Sequence, residues 1–263
     1  MSRYDAMFNR LSDRGEGAFG AFLMLGDPDL GTCAALLDAL VAGGADMVEV
    51  GIPFSDPIAD GPVIQAAADR ALRQGTTQAD CFRLLRSFRD RHPDVPVGIL
   101  TYANLVLARG RDAFYRSAAE AGVDSVLVAD VPSVEAEPYV AAARAAGIEP
   151  VLIAARNTPA RTLERVAELG QGYTYCVARA GVTGTRDDME LDHGDMLALL
   201  CKAGAAPPVF GFGISRPEHV RTALAAGAAG VISGSAIVRL IEQNQTDPAP
   251  AVRAFVSGMK AAT

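Results

Sequence analysis

The chain has 263 residues, half of them hydrophobic and 21% charged, which is too apolar for a disordered polypeptide. Its 24 Lys and Arg stand against 31 Asp and Glu, a net charge of −7, which argues against a nucleic-acid binder with a basic face. No apolar run reaches the roughly 18 residues that cross a bilayer, and residues 1–17 carry Arg3, Asp5, Arg10, Asp13, Arg14 and Glu16 in place of an apolar signal core, so neither a membrane nor a secretory setting is expected.

Eight short apolar runs follow one another along the chain: 19–25, 47–50, 97–100, 125–129, 150–153, 173–177, 208–210 and 230–233. Helical patterns lie between them, most clearly at 32–41, 63–73, 111–121, 134–146, 159–169 and 217–226. A break at 247–250 precedes a last helix. Strict alternation predicts a parallel sheet, and continuous apolar strands predict one covered on both faces. One junction recurs. Gly44, Gly122, Gly147 and Gly227 each close a helical stretch shortly before a strand, as left-handed C-terminal glycines do. Eight such units in one uninterrupted chain predict an α/β fold of one domain, residues 1–263, a (β/α)8 TIM barrel.

In such barrels the chemistry sits at the C-terminal ends of the strands. The second strand carries Glu49 among apolar residues. A carboxylate there is costly unless it is used or paired. It runs into a Gly/Pro-rich loop holding Asp56 and Asp60; Asp60 precedes Gly61-Pro62 and so also reads as a helix cap. After the sixth strand, a long Gly/Thr loop from Arg179 to Asp188 suits either a lid over bound phosphate or a plain surface loop. Gly211 and Gly213 follow the seventh strand; Gly234 and Ser235 follow the eighth. Glycines there let N–H groups approach an anion at a helix N-terminus, the usual phosphate site of this fold, although tight turns alone would also use them. Cys33, Cys81, Cys176 and Cys201 are far apart, and His92, His193 and His219 form no cluster. No metal site, disulfide framework or nicotinamide fingerprint is expected, and a reducing cytoplasmic setting fits. These features alone predict an enzyme that uses carboxylate acid–base chemistry on a phosphate ester.

The stretch Val48-Glu49-Val50-Gly51-Ile52-Pro53-Phe54-Ser55-Asp56-Pro57-Ile58-Ala59-Asp60-Gly61-Pro62-Val63-Ile64-Gln65 closely resembles the signature of the tryptophan synthase alpha subunit family. So do Tyr102-Ala103-Asn104, Val128-Ala129-Asp130-Val131-Pro132, Arg179-Ala180-Gly181-Val182-Thr183-Gly184 and Gly211-Phe212-Gly213-Ile214-Ser215. The resemblance implies a barrel with an extra N-terminal helix. It also implies retro-aldol cleavage of indole-3-glycerol phosphate to indole and glyceraldehyde 3-phosphate, with no cofactor in this chain. By the same resemblance Glu49 is the general acid/base, Asp60 faces the indole N–H, and Tyr175 joins them. Phe22, Leu100, Leu127, Ala129, Ile153 and Phe212 match the apolar substrate pocket, with Thr183 on the closing loop. Gly184, Gly213, Gly234 and Ser235 match the phosphate site. Pro53, Phe54, Asp56, Asn104 and Pro132 match contact loops for a pyridoxal-phosphate beta subunit in an alpha2beta2 heterotetramer, with Phe54 exposed as a docking residue.

The chain departs from the family pattern at Met24, where Thr is usual, at Thr101, where Met is frequent, and at Ala155-Arg156, where a Pro pair is usual. These departures leave open a stand-alone lyase that releases free indole, or a non-catalytic partner of a beta subunit.

Overall fold

A computed structural model describes residues 1–177, 194–244 and 246–263. The loop from Arg179 to Asp188, including the site candidates Thr183 and Gly184, lies outside the described residues.

The strands are β1 (Ala18–Met24), β2 (Met47–Gly51), β3 (Val97–Thr101), β4 (Ser125–Val128), β5 (Glu149–Pro150), β6 (Leu152–Ala155), β7 (Thr174–Val177), β8 (Pro208–Gly211) and β9 (Gly230–Ser233). All pair in parallel, in the spatial order β5-β4-β3-β2-β1-β9-β8-β7-β6. The predicted run 150–153 is thus split in two. Its first half pairs with β4 and its second half with β7, and Val151 between them still donates to the Val126 carbonyl at 3.0 Å. Both halves occupy the fifth of eight positions, so the sheet closes as a barrel. Pro150, which has no N–H to offer, sits at the interruption.

Twelve helices are described: α1 (Arg3–Ser12), α2 (Leu30–Ala42), α3 (Pro62–Arg73), α4 (Gln78–Arg91), α5 (Ala103–Leu107), α6 (Arg111–Glu120), α7 (Glu137–Ala145), α8 (Ala160–Leu169), α9 (Gly194–Lys202), α10 (Pro217–Ala225), α11 (Ser235–Gln243) and α12 (Ala249–Lys260). The expected helix over 134–146 begins later, at Glu137, because residues Ser133–Glu135 form a separate 3-10 turn and Pro138 favours the first turn of α7. None of the described helices is long and apolar enough to cross a membrane.

Gly44, Gly122, Gly147 and Gly227 all have positive φ, between 75° and 99°. The acid after two of these glycines has its own task. Asp46 accepts the Phe19 N–H at 2.8 Å and Asp124 the Val97 N–H at 2.7 Å. Each carboxylate therefore fastens the start of the neighbouring strand, which explains the recurring Gly-x-Asp. Arg3 and Arg89 hold Asp124, and so tie α1 and α4 to the floor of the barrel.

Two cores follow from the strand period of two. Residues such as Phe19, Val48, Val50, Ile99 and Val126 face the helices. Residues such as Phe22, Met47, Leu127, Tyr173, Tyr175 and Ile232 fill the barrel interior. Paired registers place Phe22 beside Glu49 and Glu49 beside Gly98, and higher up Leu100 beside Leu127 and Ile153 beside Tyr175. Such layers, filled from alternate strands, are how barrels of this size close without a pore.

Candidate active site

Glu49 points into the barrel from β2 and is 3% exposed. Its recorded partner is neutral: the Tyr173 hydroxyl donates to Oε1 at 2.8 Å. No ion pair of Glu49 occurs among the described residues. Burial pushes its carboxyl up to about 7; the Tyr173 hydrogen bond offsets part of that rise and the charge of Asp60 adds to it. Tyr173 is the functional neighbour that sequence reasoning missed. It lies two residues before Tyr175, on the same strand face, and that spacing was the available signal.

Asp60 is 8% exposed and does not cap the helix after it. The N-cap of α3 is Gly61, without a side-chain bond. Gln65 instead donates to the Asp60 carbonyl at 2.7 Å, which fixes the loop to the first turn. Burial raises the Asp60 carboxyl to about 6, and the nearby Tyr102 hydroxyl offsets part of the rise. That hydroxyl stops short of hydrogen-bond geometry and is left buried without a partner. Both carboxylates are therefore raised, Glu49 further than Asp60.

The two carboxylates line one cavity together with Phe22, Ile64, Leu100, Tyr175 and Phe212. Tyr175 fits because β8 offers glycine. A methyl group at Gly211 would collide with the Tyr175 hydroxyl and ring. The Phe212 ring packs edge-on to Tyr175, with centroids 6.0 Å apart. Its backbone sits at φ 72°, a left-handed conformation uncommon for a bulky residue, followed by Gly213 at 77°. Leu127, Ala129 and Ile153 line a neighbouring cavity between β4 and β6, with Asp130 and Pro132 at its edge. The expected apolar set is therefore divided between two adjoining hollows.

The far end of the first cavity is formed by Gly213, Ile214, Ser215, Gly234, Ser235 and Ala236. Gly234 is the N-cap of α11 and offers no side-chain bond, so the first N–H groups of that helix are open to an anion. Among the described residues, no three His, Cys, Asp or Glu side chains converge as metal ligands.

The candidate docking residues lie on the loops after β2, β3 and β4. Asp56, Asn104 and Pro132 are exposed, whereas Pro53 is buried. Phe54 corrects the expectation of an exposed ring: it is half-buried, stacked on Tyr102 with centroids 5.5 Å apart. The exposed apolar residues of this rim are Ile58, Leu107 and Val134, at 73%, 48% and 68%. Of the departures from the family pattern, Met24 is buried and fills the space over Gly51, where a Cβ would lie 2.8 Å from its Cε. Thr101 is buried with an unpartnered hydroxyl. Thr158 accepts the Ala155 N–H at 2.9 Å, closing the turn where the Pro pair would stand, and Arg156 is exposed.

Fold and site together define a (β/α)8 barrel with two buried carboxylates in one cavity and, at the other end of that cavity, a helix N-terminus without a side-chain cap. The comparisons with known proteins narrow that class. The family model "Tryptophan synthase alpha chain" matches residues 8–263. Tryptophan synthase alpha chains of Shewanella amazonensis and Aeromonas hydrophila are 52% and 53% identical over 266 aligned residues, covering all of this chain and 100% and 99% of theirs. The crystal structure of tryptophan synthase subunit alpha from Legionella pneumophila is 32% identical with a TM-score of 0.89, covering 100% of this chain and 98% of that one. A structure of the tryptophan synthase alpha2beta2 complex from Pyrococcus furiosus is 35% identical with a TM-score of 0.86, covering 93% and 98%. The chain belongs to the tryptophan synthase alpha chain family.

Proposed function

We propose that Glu49 and Asp60 carry the carbon–carbon lyase reaction of this family, the cleavage of indole-3-glycerol phosphate to indole and glyceraldehyde 3-phosphate. The observation that carries the assignment is the buried Glu49, with its carboxyl raised to about 7, in one cavity with Asp60 and the open N-terminus of α11. Protonated Glu49 delivers its proton to indole C3. The ring nitrogen becomes cationic, and the carboxylate of Asp60 accepts its N–H and stabilises the charge. Glu49, now ionised, takes the proton of the glycerol hydroxyl next to the ring. The carbonyl forms, the C–C bond breaks, and its electron pair returns to the ring. Protons balance within one carboxyl group. The protonated indole is itself the electron sink, so the step needs no cofactor from this chain.

Tyr175, Phe22, Leu100 and Phe212 enclose the ring, with Leu127, Ala129 and Ile153 extending the apolar wall. Gly213, Gly234 and Ser235 hold the phosphate. Residues 1–263 work as one domain. The rim of Ile58, Leu107 and Val134, beside Asp56, Asn104 and Pro132, is an apolar patch of the kind that marks a protein interface. We assign it to a beta subunit in an alpha2beta2 assembly of the kind named for the Pyrococcus furiosus complex; in this reading the beta subunit brings the pyridoxal phosphate and receives the indole. The free cysteines fit a cytoplasmic setting.

The test is indole release from indole-3-glycerol phosphate by the purified chain, alone and with a tryptophan synthase beta subunit. Low release that rises with the partner supports a channelling subunit. High release indifferent to the partner means a free-indole lyase, and no release under either condition means a non-catalytic partner.

A further inference from the structure

The Phe22 ring lies between two glycines that belong to the strands on either side of β1. Its root packs against Gly234 after β9, where a Cβ would lie 3.4 Å from Phe22 Cβ and 3.5 Å from Cδ1. Its tip lies over Gly51 on β2, where a Cβ would lie 3.0 Å from Phe22 Cζ. The room that a side chain at position 51 would take is shared with Met24, because the same Cβ would be 2.8 Å from Met24 Cε and 3.0 Å from its Sδ. The register explains the meeting. Met24 stands opposite Gly51, and Phe22, two residues earlier on the same face of β1, stands opposite Glu49. The end of the Met24 side chain therefore occupies the space into which the tip of the Phe22 ring would otherwise swing, and a thioether beside an aromatic ring is a favourable contact. Met24 is 3% exposed and packs in the barrel interior with Phe22, Ile64, Ala67 and Ala68. Phe22 and Ile64 stand in front of it as walls of the cavity. The Thr usual at this position in the family ends at its γ atoms and is too short to cover Gly51.

We propose that Met24 is a positioning residue that sets substrate selectivity through Phe22: its thioether end holds the ring against the cavity and so fixes the depth of the apolar pocket, which takes a plain indole ring and disfavours one that carries a methyl group on its benzene half. The inference rests on the reading of this cavity as the indole site.

The reverse reaction reads the two ends of the site separately, because indole and glyceraldehyde 3-phosphate are then supplied apart. The probes are indole and the four indoles that carry one methyl group on the benzene ring. Wild type is expected to show a KM about tenfold higher than that for indole with at least one of the four, the usual cost of one carbon too many in a closed apolar pocket. In Met24→Val the side chain stops short of Gly51, so Phe22 gains room and most of that tenfold penalty should disappear. KM for glyceraldehyde 3-phosphate should stay within about twofold of wild type, since the phosphate end is untouched. Met24→Leu, which keeps the volume and reaches as far as the sulfur does, should keep the wild-type ranking. Equal KM values for all five indoles in wild type overturn the proposal without any variant. An unchanged ranking in Met24→Val also overturns it, as does a shift in KM for glyceraldehyde 3-phosphate as large as that for the indoles, or a change in Met24→Leu as large as in Met24→Val. A wild-type chain that makes no indole-3-glycerol phosphate refutes the lyase reading instead. Calorimetric titration with the same five indoles then still ranks them, and the same ranking in wild type and Met24→Val overturns the inference on its own.

Discussion

Replacing Glu49 with Gln is expected to abolish indole release and, in alkaline solution, to stabilise the fold. Burial moves the carboxyl from an ordinary 4.5 to about 7. At about 1.36 kcal/mol per unit, ionising it inside the barrel costs the folded state about 3 kcal/mol. The sign follows from linkage. Below the unfolded value both states hold the proton and nothing is lost. As pH climbs toward the folded value, the native state keeps a proton that the unfolded state has released, and stability falls until both are ionised. Gln does not titrate. Its carbonyl can still accept from Tyr173, but its amide N–H group lacks an evident partner, a penalty of about 1 kcal/mol at every pH. The stability of Glu49→Gln relative to wild type should therefore improve by about 2 kcal/mol between pH 5.5 and pH 8.5, leaving the variant about 2 kcal/mol more stable at the higher pH. Urea unfolding at the two pH values measures this directly. A difference between the two proteins that does not change with pH would refute the buried, raised carboxyl.

Three further outcomes follow from the same geometry. Tyr173→Phe removes the donor that holds Glu49 down, so the inflection assigned to Glu49 in the pH profile of indole release should move up by about one unit; no movement means that the 2.8 Å contact is not made in solution. Gly211→Ala drives a methyl group into Tyr175 and should cost about 1–3 kcal/mol of stability and most of the activity, read by thermal unfolding and indole release; wild-type behaviour would show that Tyr175 does not occupy the space over β8. Arg70→Ala removes the partner that binds Asp27 through two contacts of 2.7 and 2.9 Å. Because Asp27 is 2% exposed, the loss should be about 3 kcal/mol at pH 8 and should shrink as the pH is lowered, because burial raises the Asp27 carboxyl and Arg70 is what opposes that rise; a loss that does not change with pH would contradict it.

Much of the barrel is legible in the sequence because its signals are local. The four junction glycines need positive φ whatever surrounds them, and a carboxylate in the middle of Val48-Glu49-Val50 is conspicuous in any fold. The helix α4 lies outside the elements expected from the sequence, although a local signal for it exists in the reciprocal cap of Thr77 and Asp80 at its start. What else escaped depends on the tertiary arrangement. Tyr173 reads as one more core aromatic until β7 is folded opposite β2. Phe54 reads as exposed between prolines, and only the approach of Tyr102 covers it. The break at Val151 arises because the two halves of that strand serve different neighbours. Asp60 looks like a cap by sequence, yet Gly61 takes the cap position and leaves the carboxylate to the cavity.

The central claim is that the buried carboxyl of Glu49 carries the proton in carbon–carbon cleavage. The most direct test is indole release from indole-3-glycerol phosphate by wild type and by Glu49→Gln, each confirmed folded and each saturated with the same beta subunit. The account predicts release by the wild type and none above background by the variant, although the variant still binds substrate at the phosphate end. Near-normal release by Glu49→Gln would contradict it.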